Sequence, residues 1–306
     1  MSVVSMESIQ KLREASGAGM MDCKKALTET AGDIDAAMDW LRKKGIASAA
    51  KKAYRIAAEG LVAAVTNGTK GLLLEVNCET DFVGKNADFQ ALVTAIAEEA
   101  LAQGISDVEQ IKNLTVNGTT AQEALTTLIA KIGENMSLRR ASVTQVSQGV
   151  IVSYLHNAVS PKAGRIGVLV SLESTAPEEK LNALGRQIAM HIAAARPDAL
   201  DRLAVDASKL EREKSVLVEQ ARASGKPENI IEKMVEGRIN KFYEEIVLLE
   251  QAFVMNPDLK VADHIDATAK ELGAPVKLVA FERFTVGEGI EKQSGDFAAE
   301  VAKMAK

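Results

Sequence analysis

The side chains that most often carry out chemistry in proteins are few in this chain and lie far apart. The histidines are His156, His191 and His264, and the cysteines are Cys23 and Cys78. Zinc sites need His and Cys ligands at close spacing, and the sequence contains no HExxH pattern and no CxxC pair. His191 lies in the apolar segment AMHIAAA, which favours a buried, hydrogen-bonded histidine over a ligand. We therefore predict no metal site.

Patterns for nucleotide binding and covalent catalysis are also missing. Gly225-Lys226 lacks the upstream glycine of a phosphate-binding loop, and GEGIEK near residue 287 lacks the third glycine of a dinucleotide fingerprint. No GxSxG motif is present. The carboxylate pairs Glu98-Glu99 and Glu244-Glu245 have polar surroundings, which indicates solvated helix surfaces. We therefore predict that the protein is not an enzyme and has no cofactor. The alternative is a metabolic α/β enzyme, and observed turnover of a small molecule would favour it.

A pair of methionines forms the first unusual feature. Met20 and Met21 follow Gly17-Ala18-Gly19, where a loop meets a helix. Methionine is flexible and is common at adaptable binding surfaces. Adjacent positions cannot share one helix face. The pair therefore either packs into a small helical bundle or contacts a partner.

The second unusual feature is the segment Glu79-Thr80-Asp81-Phe82-Val83, which follows a predicted strand. In one interpretation, Thr80 or Asp81 is a turn or cap residue and Phe82 fills the core. In the other, Phe82 is exposed and is held in place by a turn at Asp81. The residue pattern alone leaves both interpretations open.

Length and composition restrict the class of protein. The chain has 306 residues, enough for roughly two domains, and 47 % hydrophobic with 26 % charged residues is an ordinary globular balance. A net charge of −5 and few aromatic residues (1 Trp, 3 Tyr, 7 Phe) argue against direct nucleic-acid binding. The start MSVVSMESIQ is not typical of a signal peptide, and no apolar run suits a membrane span. With so few cysteines, we expect a reducing, cytoplasmic location.

Helical periodicity alternates with strand-like segments along the chain. Residues 6–45 predict three short helices, and the basic stretch from Arg42 to Arg55 predicts a linker. A hairpin with Asn67-Gly68 near its turn follows. We then expect helices at about 86–103, 120–131 and 178–195, and strands in the segments SLRRASVTQV, GVIVSYLH, RIGVLVSLE and VKLVAFERF. KGLLLEVNCE and RIGVLVSLE, each followed by a helix, suggest an internal repeat of two α+β units.

The segment 206–250 has a different pattern. Val235, Ile239, Phe242, Ile246 and Leu249 alternate spacings of four and three, as in a coiled-coil seam. The break GKP at residues 225–227 predicts that two helices meet there in an antiparallel hairpin. The final segment DFAAEVAKMAK predicts an amphipathic C-terminal helix.

Two segments resemble the signatures of bacterial elongation factor Ts: LREASGAGMMDCKKAL (Leu12 to Leu27) and EVNCETDFVGK (Glu75 to Lys85). The resemblance extends over nearly the whole chain in the expected order, through the segments GDIDAAMDWLRKKG, AKIGENMSLRR, RIGVLVSLE, AMHIAA, EKMVEGRINKF and VGEGIEK. Two positions depart from the family pattern. Ser16 stands where Thr is usual, and Gly84 stands where Ser or Ala is usual.

The resemblance implies an α+β fold with five parts. These are an N-terminal ubiquitin-associated-like three-helix bundle, a two-subdomain core with small antiparallel sheets, an inserted antiparallel coiled-coil hairpin and a C-terminal helix. The corresponding ranges are 1–54 for the bundle, 55–145 for the first core subdomain, 146–204 with 251–284 for the second, 205–250 for the hairpin and 285–306 for the C-terminal module.

The resemblance also implies a guanine-nucleotide exchange factor for the GTPase elongation factor Tu. It assigns Thr80, Asp81, Phe82 and Val83 to displacement of the partner's Mg²⁺. It assigns partner contacts to four further residues, namely Met20, Met21, Val254 and Met255. A homodimer or a 2:2 complex with the partner is compatible with this assignment. The competing class is a ubiquitin-associated-like adaptor that binds proteins without any effect on a nucleotide.

Overall fold

The protein is described by a computed structural model that covers residues 4–16, 18–223 and 227–291. Helices and antiparallel strands alternate along the chain, so the predicted α+β class is confirmed. The helices are α1 (Met6–Ser16), α2 (Met20–Glu29), α3 (Ile34–Ala50), α4 (Asp81–Gly84), α5 (Ala87–Gln103), α6 (Val108–Lys112), α7 (Ala121–Ile132), α8 (Glu178–Ala195), α9 (Ala207–Arg222), α10 (Glu228–Ile246) and α11 (Val261–Leu272). The strands are β1 (Glu59–Asn67), β2 (Lys70–Cys78), β3 (Thr115–Val116), β4 (Thr119–Thr120), β5 (Met136–Gln145), β6 (Gly149–Ser160), β7 (Ala163–Ser174), β8 (Ala252–Phe253), β9 (Asn256–Lys260) and β10 (Val276–Thr285).

Three helices at the N-terminus enclose a small core of their own, as predicted. Its buried residues are Ile9, Leu12, Cys23, Ala26, Leu27 and Ala37. Asp33 begins α3 as its N-cap, since its carboxylate accepts a hydrogen bond from the backbone N–H of Ala36 at 3.0 Å.

The predicted linker from Arg42 to Arg55 is wrong for most of its length, because α3 continues to Ala50. Gly45 is buried in α3, and a Cβ there would lie 3.6 Å from the Cβ of Ala130 in α7. The side chain of Ala49 packs on the same core cluster as α7. Ala and Lys are good helix formers and no proline interrupts the stretch, so its residues favour a helix. Packing against α7 stabilises that helix as far as Ala50.

The central sheet consists of two antiparallel halves with the same order of elements. In the first half β2 lies between β1 and β5, and in the second half β7 lies between β6 and β10. Each half follows the order strand, strand, helix, strand, with α5 or α8 as its long helix. Two residue pairs between β1 and β7, Val62 with Gly164 and Ala63 with Ala163, join the halves into six strands. This shared order supports the internal repeat suspected from the sequence.

Both faces of each half are buried. The outer face of the first half packs against α5 and α7, and the outer face of the second half packs against α8 and α11. The inner faces meet in a cluster that contains Val62 and Leu73 from the first half and Ile151 and Leu169 from the second. The strands β1, β2 and β7 therefore contain nearly continuous buried runs instead of strict alternation.

Two glycines allow the inner faces to approach each other closely. A Cβ on Gly71 would lie 2.5 Å from Cγ2 of Ile151, and one on Gly167 would lie 2.6 Å from Cγ1 of Val62. Both distances are shorter than real Cβ contacts. Any side chain at these two positions would therefore push the halves apart.

A buried carboxylate connects the far end of β10 to the first half of the sheet. Glu75 in β2 is fully buried and accepts hydrogen bonds from Arg139 at 2.9 Å, Arg140 at 2.6 Å and the backbone N–H of Gly287 at 2.7 Å. Burial acts to raise the pKa of Glu75, but these hydrogen bonds outweigh it and the pKa is lowered. Glu75 is thus an ionised anchor for the turn that follows β10.

Helices α9 and α10 pack side by side through a separate apolar cluster. Its buried residues are Leu217, Ala221, Ile231 and Val235. Pro227 is the N-cap of α10, in line with the predicted break, although Gly225 and Lys226 lie outside the described residues. Leu249 lies in a 3-10 turn after α10 and packs on the second half of the sheet, so the predicted seam ends before it.

Candidate functional site

Phe82 lies on a loop directly after the central strand of the first half. This Phe82 loop (residues 79–85) includes the single-turn helix α4. The ring of Phe82 is 77 % exposed, whereas the next side chain, Val83, is buried in the core cluster beneath it. Of the two sequence interpretations, the exposed Phe82 is correct, and Val83 is the residue that fills the core.

Asp81 and Lys85 form an ion pair across α4. Their charged atoms lie 2.9 Å apart, and Nζ of Lys85 lies 5.7 Å from the centre of the Phe82 ring. The hydrogen bond from Lys85 lowers the pKa of Asp81. Asp81 is therefore an exposed, ionised carboxylate next to an exposed aromatic ring, as the turn interpretation expects.

The base of the Phe82 loop is held by residues that follow α7. The carboxylate of Glu134 accepts hydrogen bonds from the backbone N–H of Thr80 at 2.9 Å and from its hydroxyl at 2.7 Å. The carboxylate of Glu79 accepts a hydrogen bond from the backbone N–H of Asn135 at 2.5 Å. Sequence reasoning missed these contacts because the partners are more than fifty positions apart along the chain.

The nearby thiol of Cys78 has a structural role. Its Sγ donates a hydrogen bond to the carbonyl oxygen of Thr80 at 3.1 Å. Burial, together with the charges of Glu134 and Glu59, raises the pKa of Cys78 to about 12. The thiol is therefore neutral near pH 7 and is not a nucleophile.

The two methionines lie at the exposed start of α2. Met21 is 76 % exposed and Met20 is about half exposed. Neither belongs to the core cluster of the bundle, so the interpretation that both pack inside the bundle is wrong. Gly17, which precedes them in the sequence pattern, lies outside the described residues.

Val254 and Met255 form the tight turn between β8 and β9, and both are about half exposed. The neighbouring Phe253 is buried and stacks on the ring of His264 with 4.3 Å between ring centres. His191 accepts a hydrogen bond at Nδ1 from the backbone N–H of Val254 at 3.2 Å. The turn is therefore supported from below by a buried aromatic cluster.

His191 is a hydrogen-bonded core residue, as predicted. Its Nε2 lies 2.8 Å from Oε1 of Gln251, and its Nδ1 accepts the bond from Val254, so the proton resides on Nε2. Burial lowers the pKa of His191 and keeps the ring neutral. Sequence reasoning found this histidine but not its contact with the Val254 turn.

Within the ranges 4–16, 18–223 and 227–291, no three His, Cys, Asp or Glu side chains come together in a group that could hold a metal ion. None of the helices in those ranges is long and apolar enough to cross a membrane. The predicted C-terminal helix lies outside the described residues.

Comparison with known proteins gives a consistent family. The family profile described as elongation factor TS matches residues 79–288. The elongation factor Ts of Rhodospirillum centenum is 57 % identical to this chain over 307 aligned residues, which cover 100 % of both chains. The elongation factor Ts of Paramagnetospirillum magneticum is 58 % identical and covers 100 % of this chain and 98 % of its own.

The structure defines an α+β protein with exposed apolar side chains at three separate places, namely the start of α2, the Phe82 loop and the turn between β8 and β9. The full-length similarities narrow this class to proteins of translation elongation. The chain belongs to the elongation factor Ts family.

Proposed function

We propose that this protein is a guanine-nucleotide exchange factor for elongation factor Tu. It binds the GDP form of the partner, displaces the Mg²⁺ ion at the nucleotide and promotes GDP release so that GTP can bind. The observation that carries the proposal is the exposed Phe82 ring on a loop whose base is fixed to the segment after α7. Covering this exposed ring with a partner surface would remove its apolar area from water and so favour binding.

The residues of the Phe82 loop divide the work between contact and support. Phe82 enters the partner next to the bound metal ion, and the ionised Asp81 accompanies it. Thr80 and Val83 support them from below, since Val83 is buried and the polar groups of Thr80 are bound to Glu134.

Four residues outside the loop supply the remaining contacts with the partner. Met20 and Met21 bind from the N-terminal bundle, and Val254 and Met255 bind from the turn between β8 and β9. Methionine adapts its side chain to the opposing surface, which suits a partner that changes shape with its nucleotide.

The free energies involved explain why both the Phe82 loop and the contacts outside the loop are required. A nucleotide bound at nanomolar affinity has a binding free energy of about −12 kcal/mol. A ~10⁴-fold faster release requires a barrier lower by about 5.5 kcal/mol. Burial of one Phe side chain contributes only about 2–3 kcal/mol. The loss of the metal charge that neutralises the phosphates supplies the difference in the barrier, and the contacts elsewhere supply the affinity that holds the Phe82 loop in place.

GDP and this protein both bind to elongation factor Tu, and the effect of each on the binding of the other is reciprocal. Whatever factor weakens GDP binding also weakens the binding of this protein to the GDP-bound partner. Incoming nucleotide therefore displaces the exchange factor, which then acts on another partner molecule. The direction of net exchange depends on the cellular supply of GTP.

The test measures GDP release from elongation factor Tu by stopped-flow fluorescence with labelled GDP. Saturating wild-type protein is expected to accelerate release, and Phe82→Ala is expected to lower the stimulated rate about 30-fold, which corresponds to about 2 kcal/mol of lost burial. The matched control is Leu203→Ala, because Leu203 is also an exposed apolar residue, at 96 %, on a different element. We expect the control to behave like the wild type.

Two results would contradict the proposal. If the wild type binds the partner but leaves the GDP release rate unchanged, the chain is an adaptor. If GDP leaves elongation factor Tu at equal rates in the presence of Phe82→Ala and of Leu203→Ala, Phe82 is not the residue that acts on the nucleotide site.

A further inference from the structure

The short segment after α7 contacts the Phe82 loop at its base. Glu134 binds Thr80 with both carboxylate oxygens, one to the backbone N–H at 2.9 Å and one to the hydroxyl at 2.7 Å. Hydrogen bonds to an ionised acceptor are among the stronger ones in proteins. Two such bonds to one residue restrict both its backbone position and its side-chain rotamer.

Thr80 occupies the N-cap position of α4 but does not cap the helix with its side chain. Thr and Ser at this position usually accept a hydrogen bond from a backbone N–H of the first helical turn. Here the hydroxyl of Thr80 instead donates to Glu134, and no side-chain cap bond forms. The start of α4 is therefore bound to Glu134 instead of being closed by a local side-chain cap.

A second set of hydrogen bonds joins a third chain segment to the same base. Asn135 donates its backbone N–H to Glu79 at 2.5 Å and its side-chain amide to the carbonyl of Arg55 at 2.7 Å. The guanidinium of Arg55 lies 3.4 Å from Glu79. Two segments that are distant in sequence, one at Arg55 and one after α7, thus meet at the base of the Phe82 loop.

The Phe82 loop has little stability of its own. A four-residue helix is too short to be stable by itself, and the exposed ring of Phe82 packs on no core residue. The ring lies only two residues beyond Thr80. A change in the backbone at Thr80 therefore changes the direction in which Phe82 points.

We propose that Glu134 is a positioning residue for nucleotide exchange, which fixes the direction of the Phe82 loop through its paired hydrogen bonds to Thr80. This inference rests on the proposed exchange function. It predicts that weakening or loss of these bonds reduces the rate of exchange at saturation, because correct alignment of the inserted group is lost. Affinity depends mainly on the distant methionine and valine contacts and changes little.

Glu134→Gln is the informative variant because it keeps the size of the side chain. An amide carries no charge and offers only one oxygen, so the two charge-assisted bonds to Thr80 are replaced by weaker bonds between neutral groups, with the hydroxyl of Thr80 turning to accept from the NH₂ group. The matched control is Glu109→Gln, which removes the same charge from an exposed ion pair with Lys112 on α6.

The first experiment follows the loop without any partner. The chain has 1 Trp, Trp40, so the double variant Trp40→Phe with Phe82→Trp carries a single fluorescent reporter on the loop. Time-resolved anisotropy then measures the local motion of that reporter. We expect Glu134→Gln to increase the amplitude of nanosecond motion about twofold, and Glu109→Gln to leave it unchanged.

The second experiment measures stimulated GDP release over a range of exchange-factor concentrations. With the natural Trp40 and Phe82 retained, Glu134→Gln is expected to lower the maximal rate about tenfold and to change the half-saturating concentration less than about twofold. Thr80→Val keeps only the backbone donor and should reproduce the defect, which also covers the case in which Glu134→Gln fails to fold.

The results separate the inference from the function on which it rests. If the wild type does not stimulate release, the proposed function is wrong, while the anisotropy experiment still tests the effect of Glu134 on the loop. The inference is overturned if the wild type stimulates release and a folded Glu134→Gln or Thr80→Val reaches the same maximal rate. A change in half-saturation alone would overturn it as well.

Discussion

At the scale of single residues, Phe82 and Val83 show how neighbouring apolar side chains can have opposite roles. Val83 is buried in the core of the first half, while Phe82 is 77 % exposed. The identities of these two residues could be predicted as important from the sequence. Their orientations could not, because the loop is joined at its base to residues distant in sequence, as in the hydrogen bonds between Thr80 and Glu134, and no local pattern reveals such contacts.

Glu75 illustrates the same limit on prediction. In the sequence it is one polar residue within the strand segment GLLLEVNC, a position that would suit solvent exposure. In the fold it is fully buried and bound to Arg139, Arg140 and the turn at Gly287. The cluster unites segments separated by more than two hundred positions, so spacing alone could not predict it.

Glu75 should make the stability of the protein sensitive to acid. Its folded-state pKa lies below the ordinary value of 4.5, so the ionised carboxylate stabilises the fold above that pH. This contribution is lost as the pH falls through the folded-state pKa. We expect urea unfolding to show a decline in stability below pH 4.5 that is smaller in Glu75→Gln, and a cost of about 2–3 kcal/mol for this substitution at pH 7.

Glu109→Gln is the control for Glu75, because Glu109 is an exposed carboxylate with one ion pair. It should cost less than about 0.5 kcal/mol at any pH. Equal effects of the two substitutions at pH 7 would mean that Glu75 is not an ionised anchor.

At the scale of the elements, the long helices and the long strands could be predicted from the periodicity of apolar residues and from turn residues. The helix predicted at 178–195 matches α8 (Glu178–Ala195), and the hairpin around Asn67-Gly68 matches β1 and β2. The extension of α3 to Ala50 was missed because it depends on packing against α7. The joining of the two sheet halves was missed because it depends on only two residue pairs.

The close contact between the sheet halves predicts opposite effects for two glycine substitutions. Gly167→Ala places a methyl group 2.6 Å from Val62, so we expect a loss of about 1–3 kcal/mol in the free energy of unfolding. Gly237→Ala in α10 meets no atom within 4 Å and should stabilise the protein by up to about 1 kcal/mol. Chemical denaturation of both variants provides the measurement. A neutral Gly167→Ala would show that the inner faces are loosely packed.

At the scale of the whole molecule, the proposed contacts lie on three parts of the chain that fold through different apolar clusters. Met20 and Met21 belong to the N-terminal bundle, Phe82 to the first half of the sheet, and Val254 and Met255 to the second half. Binding and release are therefore expected to be separable. We expect contacts far from the nucleotide to provide affinity and the Phe82 loop to provide the rate.

This separation predicts how substitutions combine. Met20→Ala with Met21→Ala, and Val254→Ala with Met255→Ala, should each weaken binding about tenfold or more, as expected for loss of partly buried apolar contacts. The two double variants should be additive in free energy because the sites share no residue. The maximal rate of GDP release at saturation should stay near the wild-type value. Calorimetry and stopped-flow fluorescence measure the two quantities separately.

A contrary outcome for these variants is equally clear. If the methionine variant lowers the maximal rate as strongly as Phe82→Ala at saturation, the bundle takes part in release itself. The proposed division between affinity and rate would then be wrong.

The most direct test of the central claim compares GDP release from elongation factor Tu with Mg²⁺ and with a chelator. If Phe82 acts by displacing the metal ion, the Phe82→Ala variant should be slow in Mg²⁺ and should reach nearly the wild-type stimulated rate once the metal is removed. A defect of equal size under both conditions would contradict displacement of the metal by the Phe82 loop.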